Sequence, residues 1–531
     1  MEIATRRLDH LGIVAGIFDE IGISEVIDSL IPKNRDHKLS HSNILKALVL
    51  NGLGFSERRL YIFPEYFDGL AVDRLFGDGI SPGDFNEDVI GRSLDRIKSF
   101  GSTELFNEIV LKAMKKFRFG NHLLHIDTTS FSVHGDYEND DDFSEIKITY
   151  GHPKDSRWDL KQFVLSMVTN QHGIPLFVKA HSGNKSDKKT IMETIKRLRE
   201  NLNFDDKVYH VADAAFFTGK NVEEMGQHTF WVTHIPASVK EAKEYLSKDL
   251  EMKPCKDDRY SYFEAPISYR GINQKWVVID SKEMHAKKAK AFDRSIEKEY
   301  KAAKISLNKR TRKPFACETD ARIALDQWIN EHPHYRFKEF GLKTIMKRQA
   351  GRRGRPRKDE QLQTWYLVEA TIEPNEEVIA KERSKLGRFV LASNDIEIDP
   401  EQLLQFYKGQ GSVERGFRFL KDKSFHVAEV YLKNEGRIEA LSMIMVLSLL
   451  VYSIAEWVLR TRLQKTGETV LNQLKKPTQR PTMKWIFFKF RGVDEAEVHL
   501  DDRIFRQVIN MKEELRKILR LLGPSCEKYY V

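Results

Sequence analysis

At residue 121 the hydrophobic pattern changes its period, and that change constrains the fold more than any other feature of the chain. Residues 122–126, 162–169 and 174–180 are short apolar runs with strand character, the last two joined by the tight-turn sequence Asn170-Gln171-His172-Gly173. Asp187 then precedes a stretch to about residue 201 in which Ile191, Ile195 and Leu198 recur at helical spacing. Two more strand-like runs follow at 208–212 and 230–235, with a helical stretch between them. Three strands, helix, strand, helix, strand predicts an α/β fold: a mixed sheet with helical cover.

The flanking regions follow other rules. Residues 8–119 show helical spacing (Ile13, Ile17, Ile21; Ile44, Leu48) punctuated by Pro32, Gly52, Gly54, Pro64 and Ser81-Pro82-Gly83, so residues 1–120 read as an all-helical N-terminal domain, either a packing module or one that binds DNA ends. The sheet's first part covers 121–235. Residues 236–385 break the alternation with strand-like pieces at 276–279 and 364–370, a basic helical stretch at 282–304 and a basic loop at 351–358, and read as a β-containing insertion. A last strand at 389–392 and a helical segment capped by Asp399-Pro400 place the second part of the core at 386–460, with a basic helical tail at 461–531.

Composition excludes several classes. Cys255, Cys317 and Cys526 are odd in number, far apart and lack CxxC spacing, which excludes a disulfide scaffold and a zinc cage and points to a reducing compartment, the cytoplasm. No signal peptide is read at the start, where charges of both signs occur without a long apolar core. The uncharged run 440–455 is shorter than the ~20 residues a bilayer needs and is bracketed by Glu439 and Glu456, so it reads as a buried core helix. The net charge of +9 is too small to announce a polyanion partner by itself.

Chemistry is carried by acids. Asp127 follows the apolar run Leu123-Leu124-His125-Ile126, and Asp213 follows Val208-Tyr209-His210-Val211-Ala212. Each alone is open to a bland reading as a turn or cap residue. If the two strands are neighbours, both carboxylates leave the same sheet edge and can share a divalent cation. Glu414 lies where Val413, Phe417 and Leu420 form an apolar helical stripe, with Arg418 and Lys421 on its own face; a solvated charge is its plain reading, a third ligand its sharper one. Oxygen donors without a thiolate or a His pair favour Mg2+ or Mn2+. Three such acids suit in-line phosphodiester attack. His125 shares the face of Asp127 and reads as a supporting partner; His210 falls on the opposite face as a core histidine.

These residues resemble the DDE transposases of bacterial insertion sequences, in the group whose third-acid helix carries Tyr-x2-Arg-x3-Glu-x6-Lys. The resemblance rests on Asp127-Thr128-Thr129, on Val211-Ala212-Asp213, on Gly151-His-Pro-Lys-Asp-Ser-Arg-Trp-Asp-Leu-Lys-Gln162 and Gly183-Asn-Lys-Ser-Asp187, and on the Tyr407…Glu414…Lys421 spacing. It implies an RNase H-like core with Asp127, Asp213 and Glu414 as catalytic and metal-binding residues, and Tyr407 and Lys421 on the transposon-end DNA. The signature arginine is Gln410 here, which keeps hydrogen bonding at that DNA-contact position and loses the bidentate fork. The family further implies terminal inverted repeats and target DNA as partners, a homodimer holding the paired ends, no membrane, and action at the nucleoid.

Two further segments bear on DNA. Gly351-Arg-Arg-Gly-Arg-Pro-Arg-Lys358 contains an AT-hook-like core that would set Arg353 and Arg355 in a narrow minor groove, or is a solvated basic loop. Residues 282–313 mix bases with acids and read as a solvated face, and the acidic run 136–145 as an exposed loop. The expected activity is metal-dependent cleavage at the element's ends and strand transfer into target DNA. A silent DNA-binding relative and a purely hydrolytic nuclease are the alternatives.

Overall fold

The nine-stranded sheet at the centre of the computed structural model runs in the order Pro175–Ser182, Lys161–Asn170, Leu123–Val133, Tyr209–Ala212, Phe230–Ile235, Arg388–Ser393, Ile272–Ser281, Tyr260–Tyr269, Lys253–Pro254. The structure describes residues 2–33, 37–54, 63–134, 137, 146–201, 207–225, 229–347, 362–422, 435–500 and 503–531. Leu123–Val133 pairs antiparallel with Lys161–Asn170 and parallel with Tyr209–Ala212, which pairs parallel with Phe230–Ile235. This is the mixed sheet of an RNase H-like core. Alternation sends Leu123, Tyr209, Val211, Val232 and Leu391 to one face, where they pack with Leu403, Leu404 and Phe406 of the helix Pro400–Lys408. Leu124, Ile126, Ala212, Trp231 and Val390 go to the other face and its larger core.

The Asp127 strand is longer than its sequence suggests. The expected strand 122–126 continues to Val133, so Asp127 sits mid-strand and only the parallel pairing ends beside it, at Ala212. Thr128 and Thr129, which favour turns in isolation, act here as β-branched residues in a ladder with Leu165 and Ser166.

The segment 236–385 splits in two. Its first half adds three strands to the main sheet. Its second half, the helices Lys282–Thr311 and Glu318–Glu331 with the hairpin Tyr335–Lys347/Gln363–Pro374, closes a core of its own around Leu307, Leu325, Trp328 and Tyr335.

The N-terminal region is helical (Leu11–Ile21, Ile23–Leu30, His41–Leu53, Glu87–Phe100 and Ser102–Phe117 among others), yet it begins with a strand, Glu2–Arg7. That strand pairs antiparallel with Asp494–Leu500, itself paired with Arg503–Ile509, so the expected helical tail contains a hairpin. The inward face of this small sheet is charged rather than apolar. Glu495 and Glu497 are 0% and 2% exposed and engage Arg74, Arg6 and Arg506. Alternation carried by paired charges leaves no hydrophobic period to detect.

Through the middle runs the helix Glu435–Thr466. It is the one helix among the described residues long and apolar enough to cross a membrane, and 89% of its apolar window is buried inside the protein, against the N-terminal helices and the strand Pro175–Ser182. Residues 440–455 are thus a core helix, as expected.

Candidate active site

The parallel register pairs His125 with Val211 and Ile126 with Ala212. One step further sets Asp127 level with Asp213, about 4.8 Å being the usual spacing of neighbouring strands. Both acids continue the alternation that faces the helix Pro400–Lys408, and after a break at Gly409-Gln410 the helix Gly411–Leu420 carries Glu414. Asp127 accepts a hydrogen bond from the Thr128 N–H (2.7 Å) and Asp213 from the Ala215 N–H (3.0 Å), while the Thr233 hydroxyl donates to the Asp213 carbonyl (2.8 Å). The turn-residue geometry is therefore present at Asp213, and it orients the carboxylate.

Asp127 feels the other two acids. Burial pushes Asp127 up to about 6; the Lys154 ammonium and the Thr128 N–H oppose the rise, and the Asp213 and Glu414 carboxylates add to it. Tyr407 is pushed up to about 12 by burial and by the same Asp213 and Glu414. Its phenol therefore stays protonated beside them.

The whole of this sheet edge and the Glu414 helix fall inside one match. The family model of the transposase DDE domain matches residues 119–451, more than half of the chain. The chain belongs to the DDE transposases. Residues 3–111 match a domain of unknown function, DUF4277. No curated protein matches the chain closely enough to name a relative.

DDE transposases generally use a divalent metal, and the donor set fits one. Carboxylate oxygens are hard ligands, and the burial and neighbouring carboxylates that disfavour the charge on half-buried Asp127 are what a cation offsets. Among the described residues no three His, Cys, Asp or Glu side chains converge on one point tightly enough to hold an ion alone. Mg2+ commonly takes only one or two carboxylates, the remainder being water and substrate phosphate.

The other expected residues of the transposase divide. Lys421, at the end of the Glu414 helix, donates to the Oγ1 of Thr129 (2.8 Å), two residues along the strand from Asp127, and lies 5.1 Å from the Phe131 ring centre. Gln410 is buried in the DNA-free protein: it is 7% exposed, and its Nε2 donates to the carbonyl of Ile126 (2.9 Å), the residue before Asp127. The His125 ring lies under Gly409, where a Cβ would meet ring atoms at 2.6 and 2.7 Å, which explains a glycine at this helix break. Burial lowers His125 to about 4 and holds it neutral. His210 is a core histidine, its Nδ1 3.3 Å from the Phe230 carbonyl oxygen. Arg353, Arg355 and most of the acidic run 136–145 lie outside the described residues.

Gln410 thus ties the Glu414 helix to the Asp127 strand. Gln410→Leu keeps the bulk and leaves the Ile126 carbonyl unpaired. We expect a loss of about 1–3 kcal/mol in a denaturant melt, with DNA affinity unchanged. A Gln410→Leu protein that binds DNA several-fold more weakly at unchanged stability would instead make the amide a DNA contact.

One residue was not singled out from sequence. Lys154, within the quoted Gly151…Gln162 motif, donates through Nζ to the Thr128 carbonyl and stands 3.8 Å from Asp127 Oδ1. The Gly151…Gln162 segment carries the sequence signal; only the path of the chain shows which of its residues reaches Asp127.

Proposed function

We propose that this transposase cleaves DNA at the ends of a bacterial insertion sequence and joins the freed 3′-hydroxyls to target DNA, as a homodimer that holds the two ends together. The observation that supports this reading is that Asp127 and Asp213 each directly follow the last pair of the parallel ladder, Ile126 with Ala212, beside the helices bearing Tyr407 and Glu414 and within the transposase match. Mg2+ or Mn2+ held by Asp127, Asp213 and Glu414 would supply activation of a water or 3′-hydroxyl and stabilisation of the leaving oxygen. The chain's own residues do the rest. Thr128, Ala215 and Thr233 fix the two strand acids, and Gln410 fixes the helix that presents Glu414. Tyr407, a neutral phenol whose burial and acidic neighbours push its ionisation still higher, would offer a hydrogen-bond donor to a phosphate. Lys421, held on Thr129 Oγ1 (2.8 Å), would supply a positive charge to the DNA backbone near Asp127. Cutting and joining with one site requires that both ends be delivered together, hence the dimer. Its place of action is the cytoplasm, at the nucleoid.

The test uses labelled DNA ending in the inverted repeats that border the gene, with Mg2+ or with EDTA. Cleavage and strand-transfer products in Mg2+, neither in EDTA, are expected. Cleavage without joining would mark a hydrolytic nuclease. Binding without cleavage would mark a silent relative.

A further inference from the structure

Lys154 is delivered to the acids by a segment held at many points. Thr149 and Gln162 bridge each other through both N–H groups (3.2 and 3.0 Å), and the Gln162 side-chain amide donates to the Gly183 carbonyl (2.7 Å). Gly151 and Gly183 cross so closely that a Cβ on Gly151 would stand 2.0 Å from the Gly183 carbonyl oxygen, and one on Gly183 would stand 2.0 Å from that of Gln162. Nearer the tip, the Lys154 N–H donates to Ser130 Oγ (2.9 Å) and the Ser132 hydroxyl to Asp155 Oδ2 (2.8 Å), so the loop is laced to alternate residues of the Asp127 strand itself. The result is an ammonium on the Thr128 carbonyl, one residue from the Thr129 hydroxyl that receives Lys421.

Stability does not account for this construction. The Lys154 side chain is 43% exposed, and an ion pair of 3.8 Å so near solvent contributes little. The site has an electrostatic problem that does. Three carboxylates repel the phosphate they are to act on, and an incoming divalent ion removes that repulsion only once it is bound. A lysine, a compact charge on a flexible four-carbon stem, can serve both states.

We propose that Lys154 is a placeholder cation: it neutralises Asp127 in the DNA-free protein, and yields that carboxylate to the divalent ion while taking a phosphate of the bound strand. The inference rests on the transposase reading above and concerns a residue outside the Tyr407…Lys421 signature. It requires effects of opposite sign on two ligands. Removing a charge that competes with the ion tightens metal binding, and removing a phosphate contact weakens DNA binding.

Lys154→Met keeps the aliphatic stem. In EDTA, with DNA carrying the terminal repeat, it is expected to bind more weakly than the unaltered protein, and the slope of log affinity against log salt is expected to fall by about one. Without DNA, calorimetric titration with Mn2+ is expected to show tighter binding by about tenfold. Lys154→Arg should retain the salt slope. A salt slope unchanged in Lys154→Met overturns the proposal, as does Mn2+ binding that is equal or weaker; either result with a lowered melting temperature makes Lys154 a loop anchor. Failure of the transposase reading is separable, because it would appear as absent cleavage in the unaltered protein, whereas these measurements read binding alone.

Discussion

Asp127→Asn and Asp213→Asn are each expected to lower cleavage and strand transfer by about a thousandfold or more while leaving binding of terminal DNA intact. A bound divalent ion supplies several kcal/mol of transition-state charge stabilisation, and each 1.36 kcal/mol is tenfold in rate. Asparagine keeps a side-chain oxygen for the Thr128 N–H at 127 and for the Ala215 N–H at 213, so the local turn survives. At 127 it also removes a carboxylate charge that burial disfavours, so the melting temperature of that variant should hold or rise. Because the acids act as a unit, the double variant should be scarcely slower than either single one. Initial rates on labelled terminal DNA, with a melt of each protein, check all three expectations. Cleavage that persists near its original rate in both variants would remove these residues from the site.

Deleting the eight residues from Pro524 to Val531 is expected to be the most destabilising change far from the chemistry. Tyr529 and Tyr530 are buried against the first helix, Leu11–Ile21. The Lys46 ammonium, itself buried, donates to the Tyr529 hydroxyl (2.7 Å) and to Asp19 Oδ1 (3.1 Å); that hydroxyl donates to Asp19 Oδ2 (2.5 Å), which also receives Lys528 (2.7 Å). The Tyr530 hydroxyl donates to the Asp9 carbonyl (2.7 Å), and Gly12 leaves the room its ring needs. Losing two buried tyrosines and breaking a network around a buried lysine should cost about 4–6 kcal/mol, a large part of the stability of an ordinary domain. The deleted protein should be recovered mainly as aggregate. Tyr529→Phe, which removes only the hydroxyl, should remain soluble with a melt lowered by about 1–3 kcal/mol. A deletion that melts like the full chain would show that this closure contributes nothing.

How far the active site could be read from sequence follows from the kind of signal each part leaves. Asp127 and Asp213 were visible because each follows an apolar run, and Glu414 because it flanks a helical stripe; these signals are local. Lys154 and Gln410 were not assigned their places, because a charge on a loop and an amide at a helix break look alike whether they face solvent or a strand more than twenty residues or nearly three hundred residues away. The strand extension through Thr128 and Thr129 was missed for the complementary reason: turn preference is a local property, and the neighbouring strand Lys161–Asn170 overrode it. The hairpin 494–509 was missed because its inner face is built of ion pairs rather than apolar side chains.

By itself the sequence determined the order of strands and helices over residues 122–235 and singled out three acids as a hard donor set, because periodicity and residue chemistry are written along the chain. Tertiary structure alone decided that the strands ending before Asp127 and Asp213 pair in parallel, that Gln410 is buried on the Ile126 carbonyl, that Lys154 reaches Asp127, and that the first strand pairs with residues nearly five hundred positions later. The physical reason is the same throughout. Register, burial of a polar group and the pairing of charges are properties of two segments together, and each becomes favourable only when its partner is already in place.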